Sequence, residues 1–407
     1  MAWGVRARMT NPIIVDPVRD RENHLVNLVR LVSALLVAVG HARWAMLVDY
    51  DAAPQGFLQT LLFAVTSLGK QAVVVFFVLS GYWVGGTVLR HLRRESFTPT
   101  AYLSDRWVRL SLVLFPAILL TWVLDVAGGQ LFPAADVYNG HTLNQPGVEP
   151  GYGRHDAATF VGNLFYVQGL LVPAFGTNNS LWSIGYEFWM YVIGAAIIVA
   201  ARRRTAVTVT LAAGLFALGG MLGTALWWYL PTWLVGAAVA AVEPLILKRA
   251  AMRPALVAPA RLVAVLATLA TALIARSLSA GLNWVGVYGV AAISAVLIAT
   301  LIARPQTTSE KKWFSWASVF AASCYSLYAI HAPILVFVVA LLGLQTDSRL
   351  AADAGGWLAL AALSIFLVIC GWVFAQATER HTGAVRDWLR AQLANRAAAT
   401  RARGDAM

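Results

Sequence analysis

Runs of eighteen or more nearly uncharged residues recur along the whole of this 407-residue chain, separated by short basic clusters. About twenty apolar residues in a helix rise through the ~30 Å hydrocarbon layer of a bilayer. With 59% hydrophobic and only 12% charged residues, the chain lacks the polar surface to cover one aqueous core. The pattern predicts an all-α integral membrane protein, a polytopic bundle of about ten transmembrane helices. The expected spans are roughly 25–48, 70–89, 108–126, 181–200, 205–224, 226–245, 255–275, 283–303, 318–342 and 356–377. The fifth and sixth are joined by a short turn near Leu222–Trp227, which makes them antiparallel neighbours.

The formal charge of +12 would suggest nucleic acid in a soluble protein. Here it follows from the Lys and Arg that collect in cytoplasmic loops, so no nucleic-acid partner is expected. With the N-terminus inside and the spans alternating, only Arg43, Lys70, Arg154, Arg276 and Arg349 of 31 Lys and Arg fall outside. That asymmetry predicts an even number of spans, both termini cytoplasmic, in a multi-pass protein of the cell membrane.

Residues 1–24 are expected as a cytoplasmic N-terminal segment. The polar start and the full-length apolar run that follows favour an uncleaved first span over a signal peptide. Residues 25–377 form the transmembrane domain, and 378–407 a basic cytoplasmic tail. The long external loop, 127–180, contains an apolar stretch, "TFVGNLFYVQGLLVP", too short to span and expected as a re-entrant or interfacial helix. A loop of this length commonly covers a binding site. Cys324 and Cys370 lie in apolar runs and predict no disulfide framework. Metal spacings, a Walker loop and a dinucleotide fingerprint are all missing from the sequence.

Ionisable residues inside the spans carry the functional signal, because charge in a bilayer is costly. Arg30 and His41 lie eleven positions apart, on one helix face and about 16 Å apart along its axis. Rise counting places Glu187 in "NNSLWSIGYEFWMY" at a depth like that of His41, about 10 Å from the outer surface, and His331 in "CYSLYAIHAPIL" near mid-membrane or a little outside it. One shared, water-accessible cavity is the expectation. Blander readings also fit single residues. Arg30 suits a snorkelling group, a lone intramembrane His suits a helix–helix hydrogen bond, and His331 before Pro333 suits a kink. Ser80, in "FFVLSGYWVGG", sits beside Gly81, Gly85 and Gly86, a pattern that favours close helix packing over a nucleophile. Arg106 and Arg109, at the cytoplasmic entrance of the third span, fit either orientation or a phosphate site.

Taken together, these segments resemble the membrane-bound acyltransferase 3 family, which includes the O-acetylases of cell-surface polysaccharides. The resemblance rests on Arg30-x10-His41, "FFVLSG" at 76–81, "RWVRL...FP" at 106–116, "SLWSIGYEFWMY" at 180–191 and "YSLYAIHAPIL" at 325–335. The trailing "TERHTGAVRDWLR" is similar to the family's closing Glu-Arg segment, but His381 stands where a proline is usual, and no functional weight is placed there.

The resemblance implies an O-acyltransferase that moves an acyl group, with acetyl expected, from acyl-CoA to a hydroxyl. The acceptor would be a cell-surface glycan, a glycolipid or another glycosylated molecule. It implies His41 as general base or acyl carrier, with Glu187 steadying its other ring nitrogen. Arg30, Arg106 and Arg109 would bind the coenzyme A phosphates. Trp182, Ser183, His331 and Ser80 are assigned to the substrate's surroundings. It also implies a place among the family's shorter members, any second transfer step needing another protein. The competing class is a secondary transporter or flippase with an intramembrane His/Glu proton pathway. Such folds often show internal repeats, and none is visible here.

Overall fold

The structure is a computed structural model describing residues 23–138, 154–222, 224–277, 284–303, 308–345 and 347–392. Most of the expected N-terminal segment, the middle of the long loop and the end of the tail lie outside the described residues. The described chain is helical, with isolated bridges and no strand.

Helix α1 (His24–Met46) starts where the Asn23 side chain accepts from the Val26 N–H at 3.2 Å. A short helix, α2 (Phe57–Thr66), follows. Helix α3 (Gly69–Arg93) is interrupted at Gly81–Gly85 by a π-helical turn, an irregularity frequent at functional sites. Helix α4 (Pro99–Leu131) has 33 residues and opens on a proline, whose missing N–H costs nothing at that position. It begins nine residues, about 13 Å, before the expected third span, so Arg106 and Arg109 lie two turns or more past its first residue.

After the short α5 (Ala157–Leu164) come α6 (Trp182–Arg203), α7 (Ala206–Leu222), α8 (Thr224–Met252), α9 (Val257–Ser277) and α10 (Trp284–Ile302). The described residues close with α11 (Thr308–Ala321), α12 (Cys324–Leu341), α13 (Ala354–Ala377) and a helix over 382–392.

Among the described residues, nine helices are long and apolar enough to cross a membrane. The expected fifth span forms α7, whose 17 residues rise only about 25 Å. The expected ninth span is also shorter than its apolar run. Ser323 turns the chain back on the Phe320 carbonyl (Oγ to O 2.8 Å), separating α11 from α12.

Helices α1 and α3 form the centre. α1 packs against α3, α11, α12 and α13, and α3 packs against α8 and α10. The outer faces of α9 and α13 leave Leu262, Leu266, Leu358 and Ile365 exposed, as lipid-facing surfaces require. One end of the bundle carries Arg90, Arg93 and Arg202–Arg204. At the other end Arg349 binds Asp49 through two hydrogen bonds of 2.7 and 3.2 Å, which hold its carboxyl below the ordinary carboxylate range.

Candidate active site

Each helix around the centre contributes polar groups at a fixed level, so the site stacks in layers from the arginine-rich end toward the loop end.

The histidine layer joins α1 to α12. His41 Nδ1 lies 2.9 Å from His331 Nε2, and the two rings stack with centroids 5.1 Å apart and planes 18° apart. His331 Nδ1 lies 2.8 Å from the Tyr328 carbonyl and 3.2 Å from the Leu327 carbonyl. Carbonyls only accept, so a neutral His331 carries its proton on Nδ1 and leaves Nε2 as an acceptor. His41 must then donate from Nδ1, and its Nε2 keeps a free lone pair. That Nε2 makes no hydrogen bond among the described residues. Ser180 Oγ stands 3.2 Å from the same His331 Nε2.

Glu187 does not belong to this layer, which corrects the depth expected from rise counting. It follows Ser180 by seven residues, about 10 Å along the chain toward the arginine-rich end. Its Oε1 accepts from Ser80 Oγ at 3.1 Å and from the Tyr191 hydroxyl. The ring nitrogen expected to meet Glu187 is engaged by His331 instead. Between the two layers, Ser183 Oγ and the Tyr328 hydroxyl are 2.6 Å apart. Trp182 turns to packing: its ring meets Tyr186 edge-on at 5.1 Å and Tyr229 at 5.8 Å.

The lowest layer gathers the expected phosphate-binding arginines. Arg30 and Arg109 face Glu379 Oε1 at 3.8 and 3.9 Å, and Arg30 lies 5.7 Å over the Trp83 ring. Arg106 forms no ion pair among the described residues, and its Nε is buried without a partner. Two arginines sharing the Glu379 carboxylate, with Arg106 outside any ion pair among the described residues, leave an excess of positive charge that favours an anion.

Beyond the histidines, the described end of the long loop folds back against the bundle, with Thr159, Gly162, Asn163, Tyr166 and Gln168 buried. Two residues beyond α5 stands Tyr166, a left-handed residue (φ 61°) whose hydroxyl bonds Ser111 Oγ at 2.5 Å. Pro333 has no N–H to return to the Ala329 carbonyl. Asn178 satisfies that carbonyl instead, donating Nδ2 to Ala329 O at 2.7 Å and to Thr121 Oγ1 at 3.1 Å. Asp125 fixes the preceding residue, accepting from the Thr177 N–H and the His155 ring, each at 2.8 Å. The proline after His331 is thus a docking point that seats Ser180 beside the histidine. Replacing Asn178 with alanine is expected to cost about 1–3 kcal/mol for the buried carbonyl left unpaired. A lower melting temperature in detergent and faster proteolysis between residues 154 and 178 would show it; an unchanged melt and digest would refute it.

Ser180, Tyr191, Tyr328 and Glu379 entered the site without being selected from sequence. The first three lie inside the segments that carried the family resemblance, and Glu379 lies in the closing Glu-Arg segment that received no functional weight.

Comparison with known proteins agrees. An O-acetyl transferase of Shigella phage Sf6 is 29% identical over 177 residues, 41% of this chain and 44% of the phage protein. The chain therefore aligns with less than half the length of that relative. No solved structure matches it. The acyltransferase domain of the acyltransferase 3 type matches residues 23–376. That match runs from the first helix almost to the end of α13 and takes in every layer of the site except Glu379, so the chain belongs to the acyltransferase 3 family.

Proposed function

We propose that the protein is a membrane O-acyltransferase that moves an acyl group, with acetyl expected, from acyl-CoA to a hydroxyl of a cell-surface glycan or other glycosylated acceptor. The observation that carries this reading is the free Nε2 of His41, whose tautomer is set through His331 by backbone carbonyls. In the reaction the acceptor oxygen attacks the thioester carbonyl while His41 Nε2 takes its proton. The carbon–sulfur bond breaks, and coenzyme A leaves as the thiol once protonated. The imidazolium formed on His41 shares its Nδ1 proton with His331.

Arg30, Arg106 and Arg109 would receive the donor's phosphates at the arginine-rich end, which the basic asymmetry assigns to the cytoplasm together with both termini. About 16 Å of α1 separates Arg30 from His41, a span suited to the extended arm of the donor. Acceptors would approach from the loop end, past Ser180. In a second version of the chemistry His41 itself is acylated first. Trapping an acyl-imidazole with donor alone would select that version, and an obligatory ternary complex would exclude it. The transporter reading called for a His/Glu proton pathway, whereas no hydrogen bond joins Glu187 to either histidine among the described residues.

The test uses purified protein in proteoliposomes with radiolabelled acetyl-CoA and envelope glycans. Wild type should release coenzyme A and transfer label, and Arg106→Ala should raise the donor KM about tenfold through one lost charge-assisted contact. Failure of wild type to cleave any acyl-CoA offered would sink the proposal.

A further inference from the structure

We propose that Glu379 is a positioning residue that aims the donor-site arginines and, with the same carboxylate, anchors the start of the helix carrying His331. The proposal rests on the donor reading of the arginine layer. Glu379 lies just past α13, outside the 23–376 family match, and its side chain is only 10% exposed.

The two oxygens do separate work. Oε2 accepts from the backbone N–H of Ser326 at 3.3 Å and from Ser326 Oγ at 3.1 Å. Ser326 stands in the first turn of α12, where backbone N–H groups have no partner within the helix. A carboxylate there satisfies a donor and complements the helix dipole. Oε1 faces Arg30 on α1 at 3.8 Å and Arg109 on α4 at 3.9 Å. These separations suit an ion pair and exceed a hydrogen bond, so the guanidinium N–H groups remain open to phosphate oxygens. Two like charges would otherwise swing apart; the shared carboxylate holds them toward one point. It therefore ties three helices together at one end, two of which carry the paired histidines five residues or more further along.

A second consequence is the sign of the effect. If Glu379 merely competed with the donor for the arginines, removing its charge would tighten donor binding. If it aims them, removing its charge weakens binding.

Glu379→Gln retains an oxygen for Ser326 and loses the charge. Glu379→Ala loses both. Full-length protein in nanodiscs would be assayed for acetyl-CoA turnover and, by calorimetry, for equilibrium binding of coenzyme A. For Glu379→Gln the expected result is a donor KM and coenzyme A Kd raised about tenfold, with kcat within about threefold of wild type. For Glu379→Ala, kcat should fall as well, because the start of α12 loses its anchor. An unchanged or lower Kd in Glu379→Gln, with wild type binding normally, would overturn the positioning role alone. Absence of coenzyme A binding by wild type would overturn this proposal and the donor reading together. Glu379→Gln is nearly isosteric, so the KM-against-kcat split can be read even if Glu379→Ala does not fold.

Discussion

His41→Ala is expected to lower acyl transfer by about 10²–10⁴-fold, the usual contribution of a positioned general base. His331→Ala should fall in the same range, although His331 never touches the acceptor in the proposed reaction. Without it, nothing in the histidine layer holds the proton on His41 Nδ1, and the tautomer with an unprotonated Nε2 is no longer enforced. In a hydrolytic triad, spoiling the residue that sets the tautomer costs about 10⁴-fold in kcat. The decisive measurement is the double variant. If the histidines act as one unit, His41→Ala/His331→Ala will be no slower than His41→Ala alone. Glu187→Gln combined with His41→Ala supplies the contrast. Glu187 is bonded to Ser80 and Tyr191, so its loss should add to that of His41. Additive losses from the two histidines, with non-additivity between His41 and Glu187, would return the orienting role to the carboxylate.

The reversal between Glu187 and His331 shows where sequence reading stops. Helix identity was legible because apolar runs of membrane-spanning length are visible residue by residue, and the family segments brought His41, Glu187, His331, Arg30, Arg106 and Arg109 into view. Depth was not legible in the same way. Counting turns from the surface assumes that each helix starts at the surface, and α6 does not. Pro333 opens the Ala329 carbonyl, Asn178 docks there, and the chain entering α6 begins inside the bundle. Ser180 therefore reaches the histidine level and Glu187 lies two turns beyond it. Neither fact is local to the helix concerned. Glu379 was hidden for a related reason: its partners Arg30, Arg109 and Ser326 come from three other helices, and only the folded arrangement brings them to one carboxylate.

Gly236→Ala is expected to be among the most destabilising single-methyl changes in the chain. A Cβ at Gly236 would stand 1.9 Å from the Val78 carbonyl oxygen and 2.8 Å from the Tyr82 nitrogen. Across the same crossing, a Cβ at Gly81 would stand 1.8 Å from the Trp233 carbonyl oxygen. Helices α3 and α8 thus meet backbone to backbone, the close approach that small residues in "FFVLSGYWVGG" predicted. Backbone atoms cannot rotate away as a side chain can, so the helices must separate. The cost belongs at the upper end of the about 1–3 kcal/mol typical of overpacking, or beyond it. Function should suffer as well, because Ser80, one residue before Gly81, makes the 3.1 Å bond to Glu187. Gly214→Ala is the matched control. Gly214 is exposed on α7, and a methyl added there would meet nothing within 4 Å, so the change should stabilise by up to about 1 kcal/mol through helix propensity. Thermal unfolding of both variants in one detergent decides the matter: a melting temperature for Gly236→Ala no lower than that of Gly214→Ala would mean that α3 and α8 do not cross in this way. Ser80 would then have no fixed place beside Glu187.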